Sequence, residues 1–241
     1  MKRVALFFVV MLSGLLLTSC KTSPPGPISI PLATPPIISE TPQYPQDLRG
    51  AQLYRIVSGK SWVHILVYRG GKLANLGHNH VISSQSINGY IWRHQQPALC
   101  GFDIAVPVDD LVVDNNDARA AEGAAFPLNV PDSARQGTMH NMLSAALLDS
   151  QRYPTIRLQS ANVSQHDSAL SVVVNIAIKD QIHLYSLPVT VAGDEHELHV
   201  HGEFTMKQTD FGIKPFSIAM GALLVQDELQ IKFDLLADAV Q

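Results

Sequence analysis

Apolar and polar residues alternate along many segments of this 241-residue chain. The clearest alternation spans residues 197–206, whose odd positions are all polar. The even positions are apolar or glycine: Leu198, Val200, Gly202, Phe204 and Met206. Successive side chains of a β-strand point to opposite faces, so this pattern predicts a strand with one apolar face. His199 and His201 fall on its polar face and are expected to contact solvent.

Nine further segments alternate in the same way or are rich in β-branched and aromatic residues: 52–57, 62–68, 81–92, 101–106, 155–163, 170–179, 182–191, 216–225 and 228–236. Turn residues separate them, among them Gln226-Asp227, and the short gaps between the later segments favour antiparallel hairpins. Residues 131–149 differ, because their apolar residues recur at helical spacing after a possible cap at Asp132 or Ser133. The pattern predicts an all-β antiparallel barrel or sandwich with one inserted helix, and a closed barrel would remove edge strands.

The first twenty residues resemble a bacterial lipoprotein signal. Two basic residues precede an apolar run from Val4 to Leu17, and Thr18-Ser19-Cys20 follows at once. About 14 apolar residues are too few for a helix that crosses a bilayer, although an ordinary signal peptide or one membrane-spanning helix are the alternatives. The resemblance implies a signal peptide over residues 1–19 and acylation of Cys20, which anchors a protein durably when two or more chains are attached.

The next segment predicts a linker. Residues 20–47 carry a lipidated N-terminus and then eight prolines between Pro24 and Pro45, a composition typical of an extended, partly polyproline tether. Residues 48–241 then form a single domain. The protein is expected in the bacterial cell envelope, facing the periplasm. Lys21 after the cysteine, where an aspartate would favour the inner membrane, favours the outer membrane.

Charge and cysteine content narrow the function. Without residues 1–19, 15 basic residues stand against 21 acidic ones, which gives a net charge of −6. This balance argues against nucleic acid as a partner. Since Cys20 is used for acylation, Cys100 has no partner for a disulfide, and its apolar neighbours predict a buried free thiol.

An ordered set of short motifs resembles the YceI-like family over residues 52–237. The motifs are Leu53-Tyr54-Arg55-Ile56, Ser61-Trp62-Val63-His64, Leu76-Gly77-His78-Asn79-His80, Leu147-Leu148-Asp149, Tyr153-Pro154-Thr155-Ile156 and Gln208-Thr209-Asp210-Phe211-Gly212-Ile213. The resemblance implies a lipocalin-like barrel whose lumen binds a long apolar molecule, typically an isoprenoid, in an exported protein without an established catalytic site. The Gly-His-Asn-His segment and Gln208-Thr209 depart from the commonest family pattern, which affects the ligand more than the fold.

Three histidines are candidate ligand contacts. His78 and His80 lie two residues apart, so an extended segment would present both rings on one face, as in some zinc sites. A third ligand would have to come from elsewhere, with His64, His140 or Glu203 as candidates. The alternatives are polar contacts to a ligand at the barrel mouth and structural hydrogen bonds to the backbone. His140, near the start of the predicted helix, could reach the barrel opening.

The sequence therefore predicts a membrane-tethered binding protein that holds an apolar, isoprenoid-type ligand in its lumen, with no cofactor and no enzymatic activity. His78, His80 and His140 would contact the head group, and Cys20 would carry the lipid. One alternative is a zinc- or haem-dependent envelope protein, enzymatic or redox, that uses the His78/His80 pair. Another is an envelope interaction module that binds no small ligand.

Overall fold

A computed structural model describes residues 30–31, 41–166 and 169–241 of the chain. The predicted signal peptide, Cys20 and most of the predicted linker lie outside these residues, so the boundaries of those segments stay predictions. Within the described ranges the chain forms thirteen β-strands: β1 Ile30–Pro31, β2 Gln52–Ile56, β3 Trp62–Gly70, β4 His80–Ser84, β5 Asn88–Arg93, β6 Gly101–Pro107, β7 Val112–Val113, β8 Thr155–His166, β9 Ala169–Ile178, β10 Gln181–Gly193, β11 Glu197–Lys207, β12 Ser217–Ile218 and β13 Leu223–Ala239.

The strands close into an antiparallel barrel, which confirms the predicted fold class. In the described part of the chain the ring has eight members: β2/β3, β4/β5, β6, β8, β9, β10, β11 and β13. Two of the members are bent strands made of two pieces each. β13 pairs with β3 along its first half and with β2 at its end, while β11 pairs with both β13 and β10 and so closes the ring.

The bent members explain one difference from the predicted strands. Residues 81–92 were expected to form one strand, but they divide into β4 and β5, which pair with β3 and β2 respectively. The corner between β2 and β3 is held by Ser61, which is fully buried. Its hydroxyl lies 3.1 Å from the Val57 carbonyl oxygen and 3.2 Å from that of Leu236, and it accepts the Leu236 amide at 3.0 Å.

The last strand also differs from the prediction. Residues 216–225 were expected to form one strand that ends at a Gln226-Asp227 turn. Instead β12 ends at Ile218, a short turn follows, and β13 runs from Leu223 through Gln226-Asp227. An irregularity in the pairing of β13 with β3 between Val225 and Leu229 absorbs these polar residues without ending the strand, as β-bulges do.

The described residues contain two α-helices: α1 Asn116–Ala121 and α2 Asp132–Leu143. The prediction of one helix over 131–149 was therefore too long, and it missed α1. α2 has Pro131 at its N-cap without a side-chain cap, and it ends because Ser144 is extended (ψ 161°). α1 lies on the outer wall, where Ala118 and Phe126 pack against Leu66 and Val81.

One end of the barrel is closed. Met139, Met142 and Leu143 of α2 pack onto the inner residues of β3, β4 and β6, and Leu147 and Leu148 in the following turn extend this contact. Phe211, only 1% exposed, completes the plug. Its ring stacks on that of Tyr185 at 6.2 Å, and the Tyr185 hydroxyl donates to the Asp210 carboxylate. We call this the closed end, and it is where β10 begins.

Removal of the Phe211 ring should destabilise the fold strongly. We expect Phe211→Ala to lower the free energy of unfolding by about 3–5 kcal/mol, because the buried ring would leave a cavity in the plug. The matched control is Phe216→Ala, since Phe216 is 39% exposed and its loss should cost much less. Urea unfolding followed by circular dichroism would measure both. Equal effects of the two substitutions would contradict the assignment of Phe211 to the plug.

Candidate functional site

The barrel encloses a cavity of about 720 Å³. Its wall is formed mainly by apolar side chains that point inward from the strands, among them Phe102, Leu158, Val174, Leu187, Val200 and Phe233. The alternation predicted for residues 197–206 is confirmed, because Leu198 and Met206 are buried while His199 and His201 are exposed. The volume lies within the range of pockets that hold small molecules.

The cavity opens at the end of the barrel opposite α2. Polar residues from three connections ring this mouth: Gln52, Arg93, His94, Gln95, Asp194 and Glu195. The Tyr54 hydroxyl below them donates to the Asp194 carbonyl oxygen at 2.8 Å. Burial raises the pKa of Tyr54, although Arg93 acts in the opposite direction. The phenol therefore stays a neutral hydrogen-bond donor at the floor of the mouth.

Cys100 also lines the cavity near the mouth. It is half-buried, so the expectation of a buried thiol was wrong. The reason is its position after a short turn, Pro97–Leu99, and directly before β6, where the wall of the barrel begins. The Cys100 thiol contacts the neighbouring turn, since its sulfur accepts the His94 amide at 3.2 Å and lies 3.3 Å from the His94 carbonyl oxygen.

His80 lies at the closed end and joins the wall to α2. Its Nδ1 atom is 2.7 Å from an oxygen of the Asp114 carboxylate, and its Nε2 atom is 3.2 Å from the Thr138 hydroxyl on α2. The other Asp114 oxygen accepts from Arg119 and from the Val81 amide at 2.9 Å. Asp114 and Arg119 are fully buried, so this network satisfies charges that would otherwise be costly to bury.

The Asp114 carboxyl is held ionised by these contacts. Burial alone would raise its pKa, but the hydrogen bonds from His80, the Val81 amide and Arg119 outweigh it and lower the pKa below its ordinary value. The carboxylate therefore remains charged throughout the neutral range. It serves as the common acceptor that fixes β4, α1 and, through His80, α2.

The other histidines have separate surroundings. The His78 ring lies 6.2 Å from that of His80, while His140 is exposed on α2 at the closed end and so lies away from the mouth that it was expected to reach. His64, a possible third metal ligand, pairs with Glu122 at 2.8 Å. None of these histidines lines the cavity, so a role in ligand or metal binding stays a prediction. Among the described residues no three His, Cys, Asp or Glu side chains form a metal-binding group.

Sequence reasoning missed the polar residues of the mouth. His94 and Gln95 lie in a connection between strands, and Asp194 follows Gly193 at the end of a hairpin. A hairpin end with three consecutive ionisable residues, Asp194-Glu195-His196, was the available signal. It could not be assigned to the mouth until the pairing of β10 with β11 placed it there.

A family model now identifies the barrel. The model of the YceI-like domain matches residues 102–237, more than half of the chain. The chain belongs to the YceI-like family. The matched region covers β6 to most of β13, and therefore the greater part of the cavity wall. No significant match is found among curated protein sequences.

Two solved structures resemble the YceI-like barrel in fold. BcnA from Burkholderia cenocepacia is 17% identical with a TM-score of 0.54, and the match covers 75% of this chain and 98% of BcnA. A polyisoprenoid binding domain from Saccharophagus degradans, implicated in plant cell wall breakdown, is 9% identical with a TM-score of 0.51, over 78% of this chain and 98% of that domain. At these identities the similarity concerns the fold. In the described part of this chain, no helix is long and apolar enough to span a membrane.

Replacement of the Asp114 carboxylate should loosen the closed end. We expect Asp114→Asn to lower the free energy of unfolding by about 3–5 kcal/mol at pH 7, because Arg119 would lose its buried counter-charge. The control is Asp109→Asn, since Asp109 is exposed. Urea unfolding at several pH values would measure both variants.

The same comparison has a definite pH dependence. Because the pKa of Asp114 is lowered in the folded protein, its stabilisation is complete above the ordinary carboxyl pKa of about 4 and is lost as the pH falls through the folded value. The difference between wild type and Asp114→Asn should therefore shrink in acid. A difference that stays constant from pH 7 down to pH 3 would contradict the proposed charge.

Proposed function

We propose that this protein binds an apolar chain, of isoprenoid type, in the lumen of its barrel. The observation that carries the proposal is the cavity of about 720 Å³, which is walled by apolar side chains and open at one end. A packed barrel would have filled this space with its own side chains. The family assignment supports a binding protein rather than an enzyme, and the Saccharophagus domain with the same fold is described as polyisoprenoid binding.

Burial of apolar surface would supply the affinity. Each Å² of ligand surface removed from water contributes about 25 cal/mol, before the costs of association are subtracted. Leu158 and Ile176 line the cavity towards the closed end and limit how deep the chain can enter. A flexible chain that threads between the inward rows of β8 to β11 would make such contacts along its whole length.

The mouth favours a polar head group without strong negative charge. Arg93 provides one positive charge, whereas Asp194 and Glu195 provide two negative ones. Gln52, Gln95 and the Tyr54 hydroxyl are neutral donors and acceptors. Repulsion by the two carboxylates makes a diphosphate a poor head group. We therefore propose a ligand with an uncharged head group, such as an alcohol or a carbonyl.

A lumen-filling substitution tests the proposal. Val200 lines the cavity from β11, so Val200→Trp should place an indole in the lumen and weaken geranylgeraniol binding at least tenfold, or about 1.4 kcal/mol. The control is His199→Trp, which adds the same ring to the outer face of the same strand. Fluorescence titration would measure binding, and mass spectrometry of a solvent extract would identify any co-purified lipid. The absence of both co-purified lipid and geranylgeraniol uptake in the wild type would overturn the proposal.

We propose further that acylated Cys20 holds the barrel at the bacterial envelope, in the outer membrane. The N-terminal peptide of the wild type and of Cys100→Ser should begin at residue 20 and carry acyl groups, since Cys100 is separate from the signal. Cys20→Ser should lack them. Mass spectrometry of the purified full chain would measure this directly. An unmodified peptide, or one that begins at another residue, would contradict the proposed anchor.

A further inference from the structure

Exposed apolar side chains are concentrated at the closed end. Five of them come from the β3–β4 connection and from the segment around β12: Leu73, Leu76, Phe216, Ile218 and Met220. Leu76 is 67% exposed and Met220 is completely exposed. We call these five residues the apolar tip. Single exposed leucines are ordinary on protein surfaces, but a contiguous group marks an interaction site.

The two loops that form the apolar tip are joined by the backbone. The Leu73 amide donates to the Ala222 carbonyl oxygen at 2.7 Å, and the Val225 amide donates to that of Phe216 at 2.9 Å. Gly71 permits the close approach, because a Cβ atom there would lie 2.4 Å from the Ala222 carbonyl oxygen. The apolar tip is therefore one surface formed by two hydrogen-bonded loops, not five unrelated side chains.

The backbone holds Met220 away from the core. Ala219 and Met220 have φ values of 48° and 54°, a left-handed conformation that non-glycine residues rarely adopt. This conformation makes the turn between β12 and β13 and leaves the Met220 side chain without burial. A long unbranched apolar side chain at the end of such a turn gains contacts only from something outside the barrel.

The charge around the apolar tip differs from that of the whole chain. Residues 69–80 and 212–224 contain Arg69, Lys72 and Lys214 and no Asp or Glu, whereas the chain has a net charge of −4. The nearest acidic residues in sequence, Asp210 and Asp227, accept hydrogen bonds from Tyr185 and Thr209. Exposed apolar side chains beside lysine and arginine match the boundary of an anionic bilayer, where each basic residue adds attraction.

The N-terminal segment also approaches this end. β1 pairs with the start of β10, with Ile30 opposite Leu184 and Pro31 opposite His183. Nine residues separate Ile30 from Cys20, so at about 3.3 Å per residue the proposed acylated cysteine can lie at most about 33 Å from Ile30. This reach covers both ends of β10. The length of the tether is therefore compatible with either end of the barrel near the membrane.

We propose that the apolar tip docks on an anionic lipid surface, so that the mouth faces away from the membrane that anchors the protein. This inference goes beyond lumen binding, since it concerns the opposite end of the barrel and requires no bound ligand. A membrane surface accounts for the apolar side chains and the local positive charge together.

Depth-dependent fluorescence quenching tests this orientation in the tethered protein. The full chain is reconstituted into vesicles of phosphatidylcholine with phosphatidylglycerol, and in a Cys100→Ser background a bimane label is attached at Met220→Cys. Nitroxide groups on shallow acyl positions should quench this label at least threefold more than labels at Leu128→Cys or Gln95→Cys. Leu128 is the matched control, since it is a 52% exposed leucine outside the apolar tip. Mass spectrometry of the labelled protein should show that each chain carries one bimane label.

Two further experiments distinguish docking of the apolar tip on the bilayer from attachment through the acylated cysteine alone. Ile218→Asp should abolish the excess quenching at Met220→Cys without changing geranylgeraniol binding, and vesicles of phosphatidylcholine alone, or added salt, should reduce it. Equal quenching at all three labelled positions, or none at Met220→Cys, would overturn the proposal and favour a protein partner for the apolar tip. Loss of geranylgeraniol binding in the wild type would instead count against lumen binding alone.

Discussion

The lumen depends on the pairing of β10 with β11, which closes the ring of strands. This pairing extends over only four residue positions. Thr190 to Gly193 face His201 to Leu198, and these pairs convert an open sheet into a closed ring. The hairpin between the strands requires glycine at Gly193, because a Cβ atom there would lie 2.1 Å from the Glu197 carbonyl oxygen. Asp194 then accepts the amides of His196 and Glu197 at 2.8 and 3.2 Å. A closed ring has no exposed lateral edges at this seam and can enclose space without collapsing onto it.

That pairing covers only the part of the seam near the mouth. Below Thr190 the two strands separate, and side chains rather than backbone hydrogen bonds join them. Tyr185 and Phe204 lie 6.1 Å apart by ring centroid across the gap, and Phe211 closes it from below. Near the mouth the strands are paired and their inward residues, such as Val191 and Val200, leave space between the walls. The seam is therefore closed by backbone pairing near the mouth and by side chains nearer the closed end.

Much of the fold could be predicted from the sequence because strand periodicity is local. β11 needed only its own alternation, and the order of the motifs was sufficient for the family resemblance. The errors arose where tertiary contacts decide. β4 and β5 are separated at Gln85, whose carbonyl oxygen accepts the amide of the distant Gly59, and β13 continues through polar residues because its partner strand accommodates them.

The candidate site was less predictable for the same reason. His80 was predicted to contact a ligand, a metal or the backbone, but its hydrogen-bond partners, Asp114 and Thr138, lie 34 and 58 residues away in the sequence. No spacing rule connects them. The mouth residues come from three connections whose sequences resemble ordinary turns. Only the closure of the ring brings Gln52, His94 and Glu195 to one opening.

The two ends of the barrel also constrain how an apolar ligand could leave. Phe211 and Met142 are 1% and 6% exposed, so exit through the closed end would require the core to open. Such a ligand would therefore leave through the mouth, where its departing chain would meet water at a cost of about 25 cal/mol per Å² of apolar surface. That cost is avoided only if an acceptor covers the mouth as the ligand moves. If the apolar tip docks on the anchoring membrane as proposed, an acceptor would approach from the opposite side, which favours hand-over to another protein or another membrane.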